Sequence, residues 1–189
     1  MSGKLLQKTT LDNSDYRLSR WQSWLLILIA GFAAVALHKV FRWPMDLPGR
    51  HGLELMAILI FVRCSMSETY AATLSAIGGI LAFSLTGHHF MVDSSILLVQ
   101  GITIDLLYKN IVQRHMLSLG LLSVVAGLAH LLKPIIKFSY QYSASIYSDS
   151  LNQGVFYPIL THFIFGFVGG LLGWLAWQAI DNIRQSNHQ

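Results

Sequence analysis

Residues 156–180 read FYPILTHFIFGFVGGLLGWLAWQAI, and no charged residue lies between Asp149 and Asp181. A transmembrane α-helix needs about 20 mostly apolar residues, because about 1.5 Å per residue must cross about 30 Å of hydrocarbon. This stretch is long enough and apolar enough to meet that requirement. It therefore predicts a membrane-spanning helix and decides the class of the fold.

The remainder of the 189-residue chain has the same character. Hydrophobic residues make up 53% of it and charged residues only 12%, about half the charged fraction of an ordinary soluble domain. This composition excludes a disordered protein and a nucleic-acid-binding module, and the single cysteine, Cys64, excludes a disulfide scaffold. The net charge of +4 is explained by membrane orientation and needs no nucleic-acid partner.

Five further apolar segments precede the last one. They span residues 21–41, 52–66, 70–87, 94–108 and 116–132. We therefore predict an all-α, polytopic membrane bundle of about six transmembrane helices in a lipid bilayer. Because the second segment is short, five spans plus one re-entrant helix is the alternative. Residues 21–181 would form the transmembrane domain, residues 1–20 and 182–189 cytoplasmic tails, and residues 133–153 a polar, tyrosine-rich loop.

Basic residues indicate the orientation. With six spans and the amino terminus inside, eight of the thirteen lysines and arginines lie on the inner side and five on the outer side. Basic residues concentrate on the cytoplasmic side of membrane proteins. We therefore expect both termini in the cytoplasm and a multi-pass protein of the cell (inner) membrane.

Histidines are distributed unevenly along the chain. In this topology six of the eight lie in the outer half of the helices or in outer loops: His38, His51, His88, His89, His130 and His162. Imidazole binds metals, transfers protons and forms hydrogen bonds. The pattern therefore indicates either interfacial histidines that collect at helix ends and loops or a ligand-facing cluster. No HxxxH or CxxC spacing indicates a particular metal, and metal ligation stays open.

Charged residues form two further groups. Arg50 and Glu54 are four residues apart, beside His51, and would share one helix face. They predict either the mouth of a pocket that holds a carboxylate or phosphate, or a salt bridge at the start of the helix. Arg63 and Asp105 are expected near the inner helix ends. Ionisable groups beside hydrocarbon are usually paired, so we expect these two to pair. The pair would be either a structural element, which we favour, or part of a surface for a cytoplasmic partner.

Small residues mark faces for close helix packing. Ala30 and Ala34 are four residues apart in the first segment, and the last contains GxxxG twice, at 166–170 and 169–173. Such faces let helices approach closely in lipid. Packing within the monomer is one interpretation, and docking on another membrane subunit is the other. The tyrosine-rich loop, with Tyr142, would either stack on a flat ligand or anchor the chain at the interface.

No catalytic signature is found: the chain contains no GxSxG, no HExxH and no P-loop. We therefore expect no enzymatic activity and no cofactor. Because the chain has no recognised phosphate-binding loop for ATP, any energised transport would need a partner.

Residues 48–87, PGRHGLELMAILIFVRCSMSETYAATLSAIGGILAFSLTG, precede a helix that contains ITIDLLY at 102–108. This stretch resembles the substrate-binding S components of energy-coupling factor (ECF) transporters, and the layout of residues 22–180 is similar to theirs. The resemblance implies a six-helix protein that binds a vitamin, a vitamin precursor or a transition-metal ion at the outer side. It also implies a transmembrane coupling subunit and cytoplasmic ATPase subunits as partners, with Ala30 and Ala34 facing the coupling subunit.

The leading hypothesis is therefore a membrane-embedded capture subunit for uptake of a small micronutrient. Its expected substrate-binding residues are Arg50, His51, Glu54, His88, His89, Tyr142 and His162. One alternative is a haem-binding electron carrier that uses histidines on different helices, such as His38, His130 and His162. A membrane enzyme with acid–base chemistry and a purely structural subunit are further alternatives.

Overall fold

The computed structural model describes residues 19–40, 47–86, 90–112, 119–143, 154 and 156–186. These residues form an all-helical bundle, with no strand in the described ranges. In order along the chain, the α-helices are α1 (Arg20–Val40), α2 (His51–Ser65), α3 (Ala71–Thr86), α4 (Phe90–Leu107), α5 (Leu119–Ser143) and α6 (Phe156–Ser186). A π-helical turn, Tyr108–Val112, continues α4. The prediction of an all-α bundle is confirmed.

Three of these helices are long and apolar enough to cross a membrane. The spans are Arg20–Leu37, Gly120–Tyr140 and Phe156–Ser186. Large apolar side chains such as Ile29, Leu81 and Leu106 are exposed on the outside of the bundle. An extensive exposed apolar surface is unfavourable in water but is suited to lipid. The architecture is therefore that of a membrane helical bundle.

The short second helix occupies the centre of the bundle. α2 contacts all five other helices, whereas α1 contacts only α2 and α3 within the described part of the chain. Around α2 the other helices follow one another in contact, in the order α1, α3, α4, α5 and α6. Because α2 is enclosed by protein, its length is not set by the thickness of a lipid layer, which explains how a 15-residue helix is accommodated.

Glycines on α6 allow this helix to approach two neighbours at once. A Cβ atom on Gly166 would lie 2.6 Å from the Cβ of His130 on α5, and one on Gly169 would lie 2.6 Å from the backbone oxygen of Leu53 on α2. Gly170 and Gly173 repeat these two contacts one turn later. Each GxxxG pair therefore packs on a different helix of the same monomer, as the first interpretation expected.

The end of α5 differs from the prediction. A loop is expected from Lys133, but the helix continues through Pro134 to Ser143. A proline removes only one backbone donor, and neighbouring helices compensate for that loss in membrane-type bundles. At the other end of the bundle, α6 continues to Ser186, past the expected start of the carboxy-terminal tail.

Candidate functional site

A cavity lies at one end of the bundle, where α1, α3 and α5 end and α2 and α4 begin. It has a volume of about 290 Å³. Its described lining residues come from five helices: Val35, His51, Leu55, Phe83, Asp93, Lys133 and Lys137. We call this region the pocket end. A volume near 300 Å³ is at the small end of the usual range for ligand pockets.

The polar side of the pocket carries more positive than negative charge. Lys133 and Lys137 are four residues apart on α5 and therefore share one face of that helix. The Nζ atom of Lys137 lies 3.4 Å from Oδ1 of Asp93 on α4. His51 on α2 adds an imidazole to the same lining. With both lysines protonated, two ammonium groups meet one carboxylate, which leaves one uncompensated positive charge.

The rest of the described pocket lining is apolar. Val35 of α1, Leu55 of α2 and Phe83 of α3 contribute it. Leu55 and Phe83 also pack against the main hydrophobic core, which fixes their positions. The pocket therefore offers a ligand both apolar surface and charged groups.

Two histidines form a buried pair at the same end of the bundle. The rings of His130 on α5 and His162 on α6 are stacked, with centroids 5.0 Å apart and planes inclined by 29°. The Nε2 atom of His130 lies 3.2 Å from the carbonyl oxygen of Gly49, and its Nδ1 atom lies 3.2 Å from the side-chain amide nitrogen of Gln100. Nε2–H therefore donates to Gly49, and Nδ1 accepts from Gln100. The Nδ1 of His162 donates to the Pro158 carbonyl at 2.7 Å.

This histidine pair positions the start of α2. Gly49 adopts a positive φ of 86°, a conformation that side chains other than glycine rarely adopt. A Cβ atom on Gly49 would also lie 2.8 Å from the Cα of His162. Gly52 packs directly on the His130 ring, where no side chain would fit. The turn before α2 is therefore held against the pair, and it sets where His51 enters the pocket.

The four predicted binding residues with described side chains divide into two groups. His51 lines the pocket, whereas Arg50, Glu54 and His162 are not among its described lining residues. His162 is only 7% exposed, within the stack with His130. Arg50 and Glu54 are half-buried at the start of α2.

The other predicted binding residues have no described side-chain geometry. His88 and His89 lie outside the described residues. Tyr142 lies in the last turn of α5, and its side chain is likewise not described. The side chain of His38, which the haem alternative names, is not described either.

The two alanines expected to face a partner are placed within the monomer packing. Ala34 is only 1% exposed. Ala30 is partly buried and packs against the small cluster of Ile27, Val62 and Ala71. The exposed face of α1 instead carries large apolar side chains such as Trp24 and Ile29.

Sequence reasoning did not identify the two lysines or Asp93 as binding residues. Pro134 predicted the end of a helix, and this placed Lys133 and Lys137 in a loop. Had the proline been accepted within a membrane helix, the four-residue spacing of the lysines would have placed both on one face. Phe83 gave no distinguishing signal, because it is one apolar residue among many in α3.

The opposite end of the bundle contains a second charged cluster, which we call the ion-pair end. Arg63 Nη1 lies 3.7 Å from Asp105 Oδ1, and both side chains are nearly buried. The carboxylate of Asp105 also accepts hydrogen bonds from the backbone N–H groups of Ala72 and Thr73, at 3.2 and 2.8 Å, and from the Thr73 hydroxyl at 2.6 Å. The predicted pairing of Arg63 with Asp105 is confirmed, and the carboxylate caps the start of α3.

Arg63 has further partners at the ion-pair end. Its Nη1 donates to the backbone carbonyl of Glu68, and its guanidinium carbon lies 4.4 Å from the centre of the Tyr108 ring. A cation over an aromatic face within about 6 Å is a favourable contact. Each charge at this end is therefore held by neighbours of the same chain, which favours a structural role.

The arrangement of His130 and His162 does not suit haem ligation between them. Axial ligands face each other across the porphyrin plane with their nitrogens directed at the iron. Here the two rings stack directly on each other, and three ring nitrogens are engaged by protein groups. Within the described residues there is also no group of three or more histidine, cysteine, aspartate or glutamate side chains placed to hold a metal ion.

Comparison with known proteins finds no relative of this chain. No family model matches it, and neither a curated protein nor a solved structure does. Its function therefore has to be argued from the pocket and the bundle that surrounds it.

Proposed function

We propose that this protein is a membrane-embedded capture subunit for uptake of a small micronutrient, of the kind found in ECF transporters. The cargo would be a vitamin, a vitamin precursor or a transition-metal ion. A separate transmembrane coupling subunit and cytoplasmic ATPase subunits would supply the energy. The observation that carries this proposal is a small pocket with charged groups at one end of a bundle whose outside is suited to lipid.

The charges in the pocket support a binding role. Ionisable groups within a membrane bundle are costly and tend to mark functional sites. At the ion-pair end, Arg63 and Asp105 are neutralised by each other and by backbone groups. At the pocket end, Lys133, Lys137 and Asp93 instead face a cavity. A cavity that retains such groups is suited to a polar ligand.

Identification of the captured molecule tests the proposal. The protein would be purified in a mild neutral detergent, and released small molecules and metals would be identified by mass spectrometry and elemental analysis. Leu55→Trp fills the pocket, and Leu106→Trp is the matched control on the exposed surface of α4. We expect the same molecule from the wild type and the control, and none from Leu55→Trp.

Two results would contradict the capture role. One is the absence of any specifically retained molecule in the wild type, and the other is equal retention by all three proteins. Leu55→Phe, a smaller change, serves in place of Leu55→Trp if the latter does not elute as a monodisperse protein. The comparison then still reports on the pocket rather than on folding.

The proposed partner surface is α1, and the burial of Ala34 determines how it is tested. A larger residue at Ala34 would disturb packing within the monomer before it reached a partner. Ala30→Leu is the more informative change, with Ala176→Leu on the exposed face of α6 as control. We expect Ala30→Leu alone to lose co-purification with an energy-coupling membrane subunit. Normal assembly of a folded Ala30→Leu protein would remove Ala30 from that interface.

A further inference from the structure

We infer that the pocket takes a small, singly charged organic anion, a carboxylate on a compact apolar body. The inference rests on the proposed capture function and names the substrate class of the same site. It follows from the charge balance of the lining, from the accessibility of one ion pair and from the apolar part of the lining.

Charge balance is the first step. The described lining contains two ammonium groups, of Lys133 and Lys137, and one carboxylate, of Asp93. Asp93 Oδ1 pairs with Lys137 Nζ at 3.4 Å. Among the described residues, Lys133 makes no ion pair. One monovalent anion would therefore neutralise the site, whereas a cation would add to an existing excess of positive charge.

Accessibility of the existing pair is the second step. The side chain of Lys137 is 44% exposed and that of Asp93 is 25% exposed, while the Arg63–Asp105 pair is 6% and 4% exposed. A pair this open contributes little to stability and is easily rearranged. Lys137 can therefore turn from Asp93 toward an incoming carboxylate that also contacts Lys133 one helical turn away.

The apolar part of the lining is the third step. Val35, Leu55 and Phe83 line the same cavity as the charged groups. An inorganic anion such as phosphate would leave that surface against water, whereas an apolar body would cover it. The volume of about 290 Å³ limits the body to a compact one. A carboxylate head suits the charged lining residues, and a small ring or short branched chain suits the apolar ones.

Three probes of nearly equal size and shape test the charge preference. Benzoate, benzyl alcohol and benzylammonium would each be added to the purified, ligand-depleted protein in neutral detergent, with binding measured by calorimetry and by thermal shift. We expect benzoate to bind, and the alcohol and the ammonium compound to bind at least about tenfold more weakly, the scale of one charge-assisted hydrogen bond. Equal binding of the three probes, or no binding of benzoate, would overturn the inference.

Lysine variants assign the effect to the pocket. Lys133→Met should weaken benzoate binding by about tenfold or more, because it removes one of two cationic donors. It breaks no ion pair among the described residues, so we expect the bundle to fold. Lys109→Met, at an exposed lysine beyond the end of α4, is the matched control and should bind as the wild type does. If both variants bind benzoate equally well, the anion is not held by Lys133.

Asp93→Asn tests the inference through the direction in which benzoate affinity changes. Removing this carboxylate leaves Lys137 free of its competitor, so benzoate should bind more tightly, by severalfold. A cationic ligand would instead lose affinity, and a purely structural role for Asp93 would change stability without changing benzoate affinity. Either of those outcomes contradicts the inference.

Failure of this inference is separable from failure of the capture function. If the molecule released from the wild type is neutral or cationic and is absent from Leu55→Trp, the capture function stands and the anion preference is wrong. If benzoate binds through Lys133 but no molecule is retained from cells, the anion preference stands and the capture function loses its support.

Discussion

Asp93 and Asp105 both lie on α4, twelve residues and therefore about 18 Å apart along the helix, yet their surroundings differ sharply. Asp105 accepts three hydrogen bonds from the start of α3 and pairs with Arg63 in a nearly buried site. Asp93 pairs with Lys137 beside a cavity, and both side chains remain partly exposed. Asp105 is fully engaged by neighbouring groups of the protein and therefore stabilises the fold. Asp93 lies beside a cavity and therefore remains available to a ligand.

The largest expected effect is on stability at the ion-pair end. Asp105→Ala leaves the start of α3 uncapped and the Arg63 guanidinium without its carboxylate, and loss of one partner from a buried pair costs about 3–5 kcal/mol. Asp93→Ala should cost less than Asp105→Ala, because the Asp93–Lys137 pair is partly exposed. Unfolding in mild detergent, followed by circular dichroism, measures both. Equal losses would remove the proposed distinction between the two ends.

An intermediate effect is expected at the buried histidine pair. His130→Phe preserves ring stacking but leaves the Gly49 carbonyl and the Gln100 amide without their imidazole partner, which costs about 1–3 kcal/mol per unsatisfied buried group. His162→Phe loses only the bond to Pro158 and should cost less. The same unfolding experiment compares the two. A greater loss for His162→Phe would mean that the hydrogen bonds of His130 are not what positions the start of α2.

The smallest effect on stability is expected for Lys137→Met. The Lys137 side chain, which pairs with Asp93, is 44% exposed. Pairs with such exposure contribute about 0–1 kcal/mol to the free energy of unfolding. The unfolding midpoint should therefore stay close to that of the wild type. A large destabilisation would show that the pair joins α4 to α5 structurally and is not available to a ligand.

The sequence was sufficient to predict six helices and the pairing of Arg63 with Asp105, but not where α5 and α6 end. Apolar length locates a membrane helix because the bilayer imposes it, and two opposite charges at neighbouring helix ends have few other partners in lipid. The two GxxxG pairs indicated close packing for a similar reason. Each of these inferences depends on a constraint that acts locally along the chain.

The pocket was less predictable because it depends on which helices are neighbours. Lys133 and Lys137 become binding candidates only when α5 is known to continue through Pro134 and to pack beside Asp93. His162 was expected to face a ligand, but its ring is covered by that of His130. Long-range contacts between helices decided both cases, and no short motif encodes them.

The central position of α2 has a consequence for mutational tolerance. α2 must fit five neighbouring helices, whereas α1 must fit only two in the described bundle. In a complete library of single substitutions scored for folded protein, α2 should accept the fewest replacements and the outward face of α1 the most. Since α2 carries His51 at one end and Arg63 at the other, the same crowding preserves the spacing of about 18 Å between the two.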